Sequence, residues 1–282
     1  MQVQIVDNTS RELISVLAPA ITQSEEIKVA VAFVSRRGFE MIRPQVEDAL
    51  RLGATLEFLV GLDMNVTQPS VLYEIQEMSN VFDNVRLYCY VSAKGSVIYH
   101  PKMYLLRSGN NATVIIGSSN LTKGGLKGNV EANVVLRGSM LEEAFSDAYS
   151  TYSYLKFLPG RVLPDEEFLT LYNELCSRAK KQQSSLARQG SMGELSDRFQ
   201  EKAKSLQRPI ASKSDLVGWV KLVYDALPAG EFTNRQVYQQ KDVFVRSYPD
   251  NRNIEAKIRQ QLQTLRNMGL IEHLDQGRWI KR

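Results

Sequence analysis

The first 155 residues alternate short runs of β-branched and aromatic residues with segments of helical periodicity, and this restricts the fold more than any other feature of the 282-residue chain. "EIKVAVAFVS" (26–35), "TLEFLVGL" (55–62) and "VRLYCYV" (85–91) have the length and composition of strands. "RRGFEMIRPQVEDALRLG" (36–53) and "PSVLYEIQEMSN" (69–80) have helical spacing and helix-start signals. Strands separated by helices imply an α/β fold, a largely parallel or mixed sheet flanked by helices. After residue 95, strands follow in quick succession at 97–107, 112–119 and 131–138, and "MLEEAFSDAYSTYSYLKF" (140–157) reads as a helix that closes the domain.

Residues 178–208 are polar, short of aromatics and interrupted by Gly190 and Gly193, a composition that cannot bury a core. The expected organisation is a catalytic-size domain over 1–160, a helical and basic linker over 161–208, and a small domain over 209–282. In the last of these, "DLVGWVKLVYDAL" (215–227), "FTNRQVYQ" (232–239, capped by Thr233) and "RNIEAKIRQQLQTLRNM" (252–268) read as helices, and two short strands flank Asp275-Gln276-Gly277. Three helices and a hairpin make a winged helix, in which the third helix enters the major groove and the hairpin is the wing. Ile254, Ile258, Leu262 and Leu265 form that helix's apolar stripe, and Trp219 and Trp279 read as packing residues. Asn253, Lys257, Arg259, Gln260, Gln261, Gln263 and Arg266 read as its DNA-facing donors, joined by Arg278 on the wing.

Charge points the same way. Residues 1–175 hold 15 Lys and Arg against 20 Asp and Glu, whereas residues 176–282 hold 20 against 11, so the C-terminal part is the one expected to meet a polyanion, double-stranded DNA. The two cysteines, Cys89 and Cys176, supply neither a disulfide framework nor a metal-ligand spacing. No apolar run approaches the roughly 18 residues of a membrane span, and the N-terminus lacks signal-peptide order, so the expected location is cytoplasmic.

The chemistry-bearing residues cluster after residue 95. "VIYHPKMYLLR" (97–107) puts His100 two residues from Lys102, on one face if the run is extended. "GSSN" (117–120) follows, then Glu131, each at or near a strand end, where side chains of neighbouring strands can converge. An imidazole, an ammonium, the Asn120 amide, the Ser118 hydroxyl and the Glu131 carboxylate suit phosphodiester chemistry with no cofactor and no metal. The imidazole can attack phosphorus, the cation and amide can hold non-bridging oxygens, and the carboxylate can orient the imidazole. Ser119 reads as a turn residue, and Lys123 and Lys127 as solvated loop cations. "PDNRNIEAK" (249–257) mimics a magnesium-nuclease signature, but Asp250 and Glu255 are five apart at the start of a helix, a poor basis for a metal pocket.

His100-Pro101-Lys102, Gly117-Ser118, Asn120 and Glu131 resemble the signature of the phospholipase D superfamily, most of all its nuclease branch, which includes the Bfi-type restriction endonucleases. Arg107 stands where the family has an aspartate. The C-terminal segment resembles the winged helix of the Dpn-type endonuclease that cuts adenine-methylated GATC, through Trp219, Val237-Tyr238, Pro249, Asn251, "KIRQQLQTLRNMGLIEHL" (257–274) and Gly277-Arg278-Trp279. Together the resemblances imply a metal-independent, methyladenine-directed endonuclease working through a phosphohistidine. They also imply a homodimer that brings two copies of His100 to one site. A conventional restriction endonuclease, another phosphodiesterase with a regulatory winged helix, and a DNA-binding regulator with an inactive nuclease-like domain remain as alternatives.

Overall fold

A computed structural model of the chain describes residues 1–92, 98–187, 218–249 and 251–282, with isolated positions between 198 and 216. The chain divides into two units, Met1–Gln189 and Gly190–Arg282.

In the first unit eight strands form one mixed sheet in the order β1-β7-β6-β5-β2-β3-β4-β8. They are β1 (Gln2–Val6), β2 (Glu26–Val31), β3 (Thr55–Gly61), β4 (Val85–Tyr90), β5 (Lys102–Ser108), β6 (Asn111–Gly117), β7 (Asn133–Ser139) and β8 (Arg161–Val162). β2, β3 and β4 run parallel, joined by helical crossovers; β5 and β6 pair antiparallel across the short turn Gly109-Asn110, and β7 pairs antiparallel with β6 after the longer segment 118–132. The helices are α1 (Ile14–Thr22), α2 (Arg36–Glu40), α3 (Arg43–Arg51), α4 (Pro69–Val81), α5 (Lys123–Leu126), α6 (Glu143–Lys156) and α7 (Glu166–Ala187). One face of the sheet builds the main core, with Leu17, Phe39, Phe58, Leu72 and Tyr104, and the other packs Leu59, Leu105, Phe145 and Tyr152.

Several expectations shift. The helix read over 36–53 is two helices, because Pro44 falls in the first turn of α3 and restarts the helix there. β5 begins at Lys102, so His100 lies on the segment entering the strand; Pro101 donates nothing to the ladder, and its carbonyl accepts from Ala32 N at 2.9 Å. Pro101 thus precedes the first residue of β5, which sits mid-sheet between β6 and β2. β1, β8, α1 and α5 are additional. Residues 166–187 belong to the first unit: Leu169 and Tyr172 are buried in its core, and Tyr172 OH donates to Thr67 O at 2.9 Å. Most of the second half of the expected linker lies outside the described residues.

The second unit has helices Gly218–Ala226, Asn234–Tyr238, Lys241–Ser247 and Ile254–Asn267, and a three-stranded sheet of Glu231–Thr233, Ile271–Asp275 and Arg278–Lys281. Thr233 caps its helix through a capping box with Gln236. One extra helix and one extra strand join the expected three helices and hairpin. Val223, Phe232, Val237, Phe244, Ile258, Leu262 and Leu265 form its core.

Candidate functional site

The polar residues converge at one end of the sheet, where β2, β3 and β6 finish and β5 and β7 begin. Antiparallel pairing places Lys102 opposite Val31 and Gly117 opposite Asn133, which brings the turn after β6 and the chain before β7 beside the start of β5. Lys102 Nζ lies 2.5 Å from His100 Nδ1 and donates to the His100 carbonyl at 2.9 Å. The Lys102 side chain is buried at 8 % exposure, whereas His100 is open to solvent and rests edge-on against Phe33, with ring centroids 5.6 Å apart. The buried cation thus holds a fixed position while the base remains accessible.

Lost hydration pushes the His100 pKa below the ordinary histidine value, and the Lys102 charge lowers it further. Lost hydration also lowers the Lys102 pKa, opposed by the Glu131 charge. The first effect favours a neutral imidazole, whereas burial of Lys102 works against its ammonium form and the Glu131 charge supports it.

Ser118 Oγ donates to Glu131 Oε2 and accepts from Ala132 N at 2.9 Å, joining the two loops. Asn120 Oδ1 accepts from Phe33 N at 3.0 Å, which ties the loop after β6 to the end of β2 and leaves the amide N–H groups as its donors. That loop seats closely on α2: a Cβ at Gly38 would fall on the Leu121 carbonyl, so only glycine allows the approach. Thr122 caps the short helix α5, accepting from Gly125 N.

Ser119 is not a surface turn residue. It is fully buried, its Oγ accepts from Asn133 Nδ2 at 2.9 Å, and its carbonyl accepts from Tyr104 OH at 3.0 Å. Lys123 is exposed, and Lys127 pairs with Glu12 at 3.2 Å. Arg107 lies at the opposite end of β5 from Lys102 and pairs with Glu26 at 2.8 Å, so the residue in the family's aspartate position is remote from this cluster.

Sequence reasoning missed Asp63. Its carboxylate accepts from Ser92 N at 3.1 Å, Ser92 Oγ at 2.6 Å and Tyr99 N at 2.9 Å, so it anchors the chain on both sides of residues 93–97, next to His100. Nothing in "GLDMN" announces this. The signal is tertiary, although the left-handed Met64 and Asn65 beside it mark a locally strained turn. Asp63→Ala is expected to lower kcat about 10- to 100-fold with KM little changed, because a displaced reactive group costs rate more than binding. Single-turnover and steady-state kinetics check this.

In the second unit the helix Ile254–Asn267 exposes Arg259, Gln263 and Arg266, with Asn253 exposed just before it and Lys257 and Gln260 half-buried. Gln261 is a correction: at 8 % exposure it shares the buried stripe with Ile254, Ile258, Leu262 and Leu265, because it sits seven residues after Ile254, close to two full turns on. Arg259 Nη1 donates to Tyr238 OH at 3.2 Å, and Arg278 grips Asp275 through two bonds of 2.7 and 2.8 Å. Trp279 packs inside, donating to Asn234 Oδ1 at 2.7 Å, and Trp219 stacks on Tyr248 and Phe244.

Among the described residues no group of three or more His, Cys, Asp or Glu side chains is placed to hold a metal ion, and no helix is long and apolar enough to cross a membrane. Of the magnesium-nuclease mimic, Asp250 lies outside the described residues and Glu255 occupies the first turn of its helix.

Residues 215–281 match the Dam-replacing HTH domain, and residues 11–152 match the cardiolipin synthase, PLD-like domain. No curated protein matches the chain. Among solved structures, NucT from Helicobacter pylori aligns at TM-score 0.45 and 16 % identity, over 58 % of this chain and 99 % of its own. Nuc from Salmonella typhimurium, a phospholipase D family member, aligns at 0.42 and 19 %, over 55 % and 91 %. Phosphatidylserine synthase from Haemophilus influenzae aligns at 0.47 and 12 %, over 66 % and 47 %. The match over 11–152 spans half of the chain and contains the whole cluster of His100, Lys102, Ser118, Asn120 and Glu131, and the chain belongs to the phospholipase D-like family.

Proposed function

We propose that the protein is a DNA endonuclease that hydrolyses phosphodiesters without a metal ion and is directed to DNA carrying methyladenine. The observation that carries the chemical part is the contact of His100 with the buried Lys102 at the start of β5. The imidazole attacks phosphorus and forms a P–N bond as the P–O bond to the leaving sugar breaks. Lys102 and the Asn120 amide hold the non-bridging oxygens, and Glu131, through Ser118, keeps the surrounding loops in register. The leaving oxygen needs a proton, and hydrolysis of the phosphohistidine then needs a base to activate water.

A second copy of His100 fills both roles if two chains pair. Supporting this, Ile5, Val134 and Ile116 lie opposite one another on β1, β7 and β6, with exposures of 63 %, 38 % and 41 %, and this apolar row adjoins Gly117 and Ser118. The homodimer forms through this face of the nuclease domain.

Sequence selection falls to the second unit, since the reacting groups contact only the sugar-phosphate backbone. Its similarity to a Dam-replacing HTH domain supports methyladenine as the mark that is read. Asn253, Lys257, Arg259, Gln260, Gln263 and Arg266 supply the DNA contacts, and Arg278 supplies a wing contact once it exchanges Asp275 for phosphate. The protein acts on double-stranded DNA in the cytoplasm.

One experiment tests both parts. A plasmid prepared with and without adenine methylation is digested in excess EDTA. Cutting of the methylated plasmid alone is the expected result. A strict magnesium requirement would overturn the phosphohistidine mechanism, and equal cutting of both plasmids would leave a conventional restriction endonuclease.

A further inference from the structure

A cavity of about 480 Å³ opens on the α1 side of the sheet, near the strand ends remote from His100. Ser108, in its lining, is six residues along β5 from Lys102, roughly 20 Å at the strand rise of about 3.3 Å per residue. The cavity is lined by Arg11 and Arg137 and by no carboxylate. Arg137 belongs to a cross-strand row in which Leu106 pairs with Thr113, Thr113 with Arg137, and Arg137 with Gln2. The strand register therefore fixes where its side chain emerges.

Arg137 Nη1 donates to the neutral Gln4 Oε1 at 3.1 Å, and Arg11 Nε donates to Ser15 Oγ at 3.3 Å. Among the described residues neither arginine has an ion pair. Burial lowers the Arg137 pKa, and the Arg11 charge lowers it further. Two like charges at one cavity repel, and a partly buried guanidinium without a counter-ion has lost hydration with no compensation. An anion between them reverses both costs, and the planar fork of arginine matches phosphate oxygens. Pro19 and Leu106 add an apolar wall, and the volume lies in the range of small-ligand sites.

We propose that this cavity binds a nucleotide phosphate, with the phosphate held between Arg11 and Arg137 and the ring system against Pro19 and Leu106. The site is separate from the His100 cluster, and its occupant is either a free nucleotide or the phosphorylated end of a DNA strand.

Isothermal titration of the full chain with adenosine 5′-monophosphate, adenosine, and a short duplex with or without 5′-phosphates tests this. Adenosine 5′-monophosphate is expected to bind saturably and adenosine not at all. Arg137→Gln and the exposed Arg11→Gln should each weaken binding by about tenfold or more, whereas His100→Ala should leave it unchanged. Tighter, arginine-dependent binding of the 5′-phosphorylated duplex than of either the bare duplex or the mononucleotide would assign the occupant as a DNA end. No saturable binding of any phosphorylated probe, binding indifferent to both arginine substitutions, or binding abolished by His100→Ala would overturn the proposal. Because Arg11 is exposed, its substitution gives a readout even if Arg137→Gln folds poorly.

Discussion

The His100→Ala protein is expected to bind DNA with unchanged affinity and to cleave it at least about 10⁴-fold more slowly than the parent. His100 is exposed on the segment entering β5, and its described contacts are with Phe33 and Lys102, so its removal opens no cavity in either core. In the proposed function, DNA reading belongs to residues of the other unit, which matches an HTH domain. Loss of cutting with retained gel-shift affinity is therefore the predicted signature, measured on the same protein preparation. Substantial cutting by His100→Ala would remove the imidazole from the mechanism. Loss of binding together with cutting would place DNA recognition on the sheet domain instead.

Lys102→Met should lower kcat/KM by about 10²- to 10³-fold, the usual consequence of deleting one preorganised group that meets developing charge. Met has similar length and tolerates the buried position, which is only 8 % exposed, so the fold should persist. A second readout separates electrostatics from packing. The Lys102 charge lowers the His100 pKa, so its removal should raise that pKa toward the ordinary histidine value, while the larger effect of lost hydration keeps it from arriving there. The folded-state pKa then lies higher, and the acid limb of the activity profile moves to higher pH. Histidine NMR titration of the parent and variant checks the direction. An unchanged or lower His100 pKa would show that the ammonium does not act on the imidazole.

The two predictions rest on residues that are visible in the sequence. His100 and Lys102 stand out in the sequence because polar groups at a two-residue spacing interrupt an apolar run, and extended backbone forces them to one side. The same locality made β2 to β7, α4, the Thr233 cap and the apolar stripe of the helix Ile254–Asn267 legible, since each depends on periodicity or on a cap within a few residues. β1 was not legible. "QVQIV" is largely exposed, and it becomes a strand through its pairing with β7, 127 or more residues away. The helix 166–187 looked like the start of a linker because its polar composition hides the two residues, Leu169 and Tyr172, that dock it on the first core.

What the sequence by itself determined is therefore the local material: an α/β alternation, a winged-helix pattern and a set of phosphodiester-reactive groups. Tertiary structure decided which groups meet. The register of β5 against β2 and of β6 against β7 turns residues 100 to 131 into one cluster, and it leaves Arg107 at the far end of the sheet with Glu26. It also recruited Asp63 from 37 residues before His100, buried Ser119 and Gln261, and brought Arg11 to the same cavity as Arg137. The physical reason is common to all of these. Side-chain periodicity is a short-range property that any reader can follow along the chain, whereas burial and hydrogen-bond partnership depend on strand order and register, which arise only when distant segments share one core.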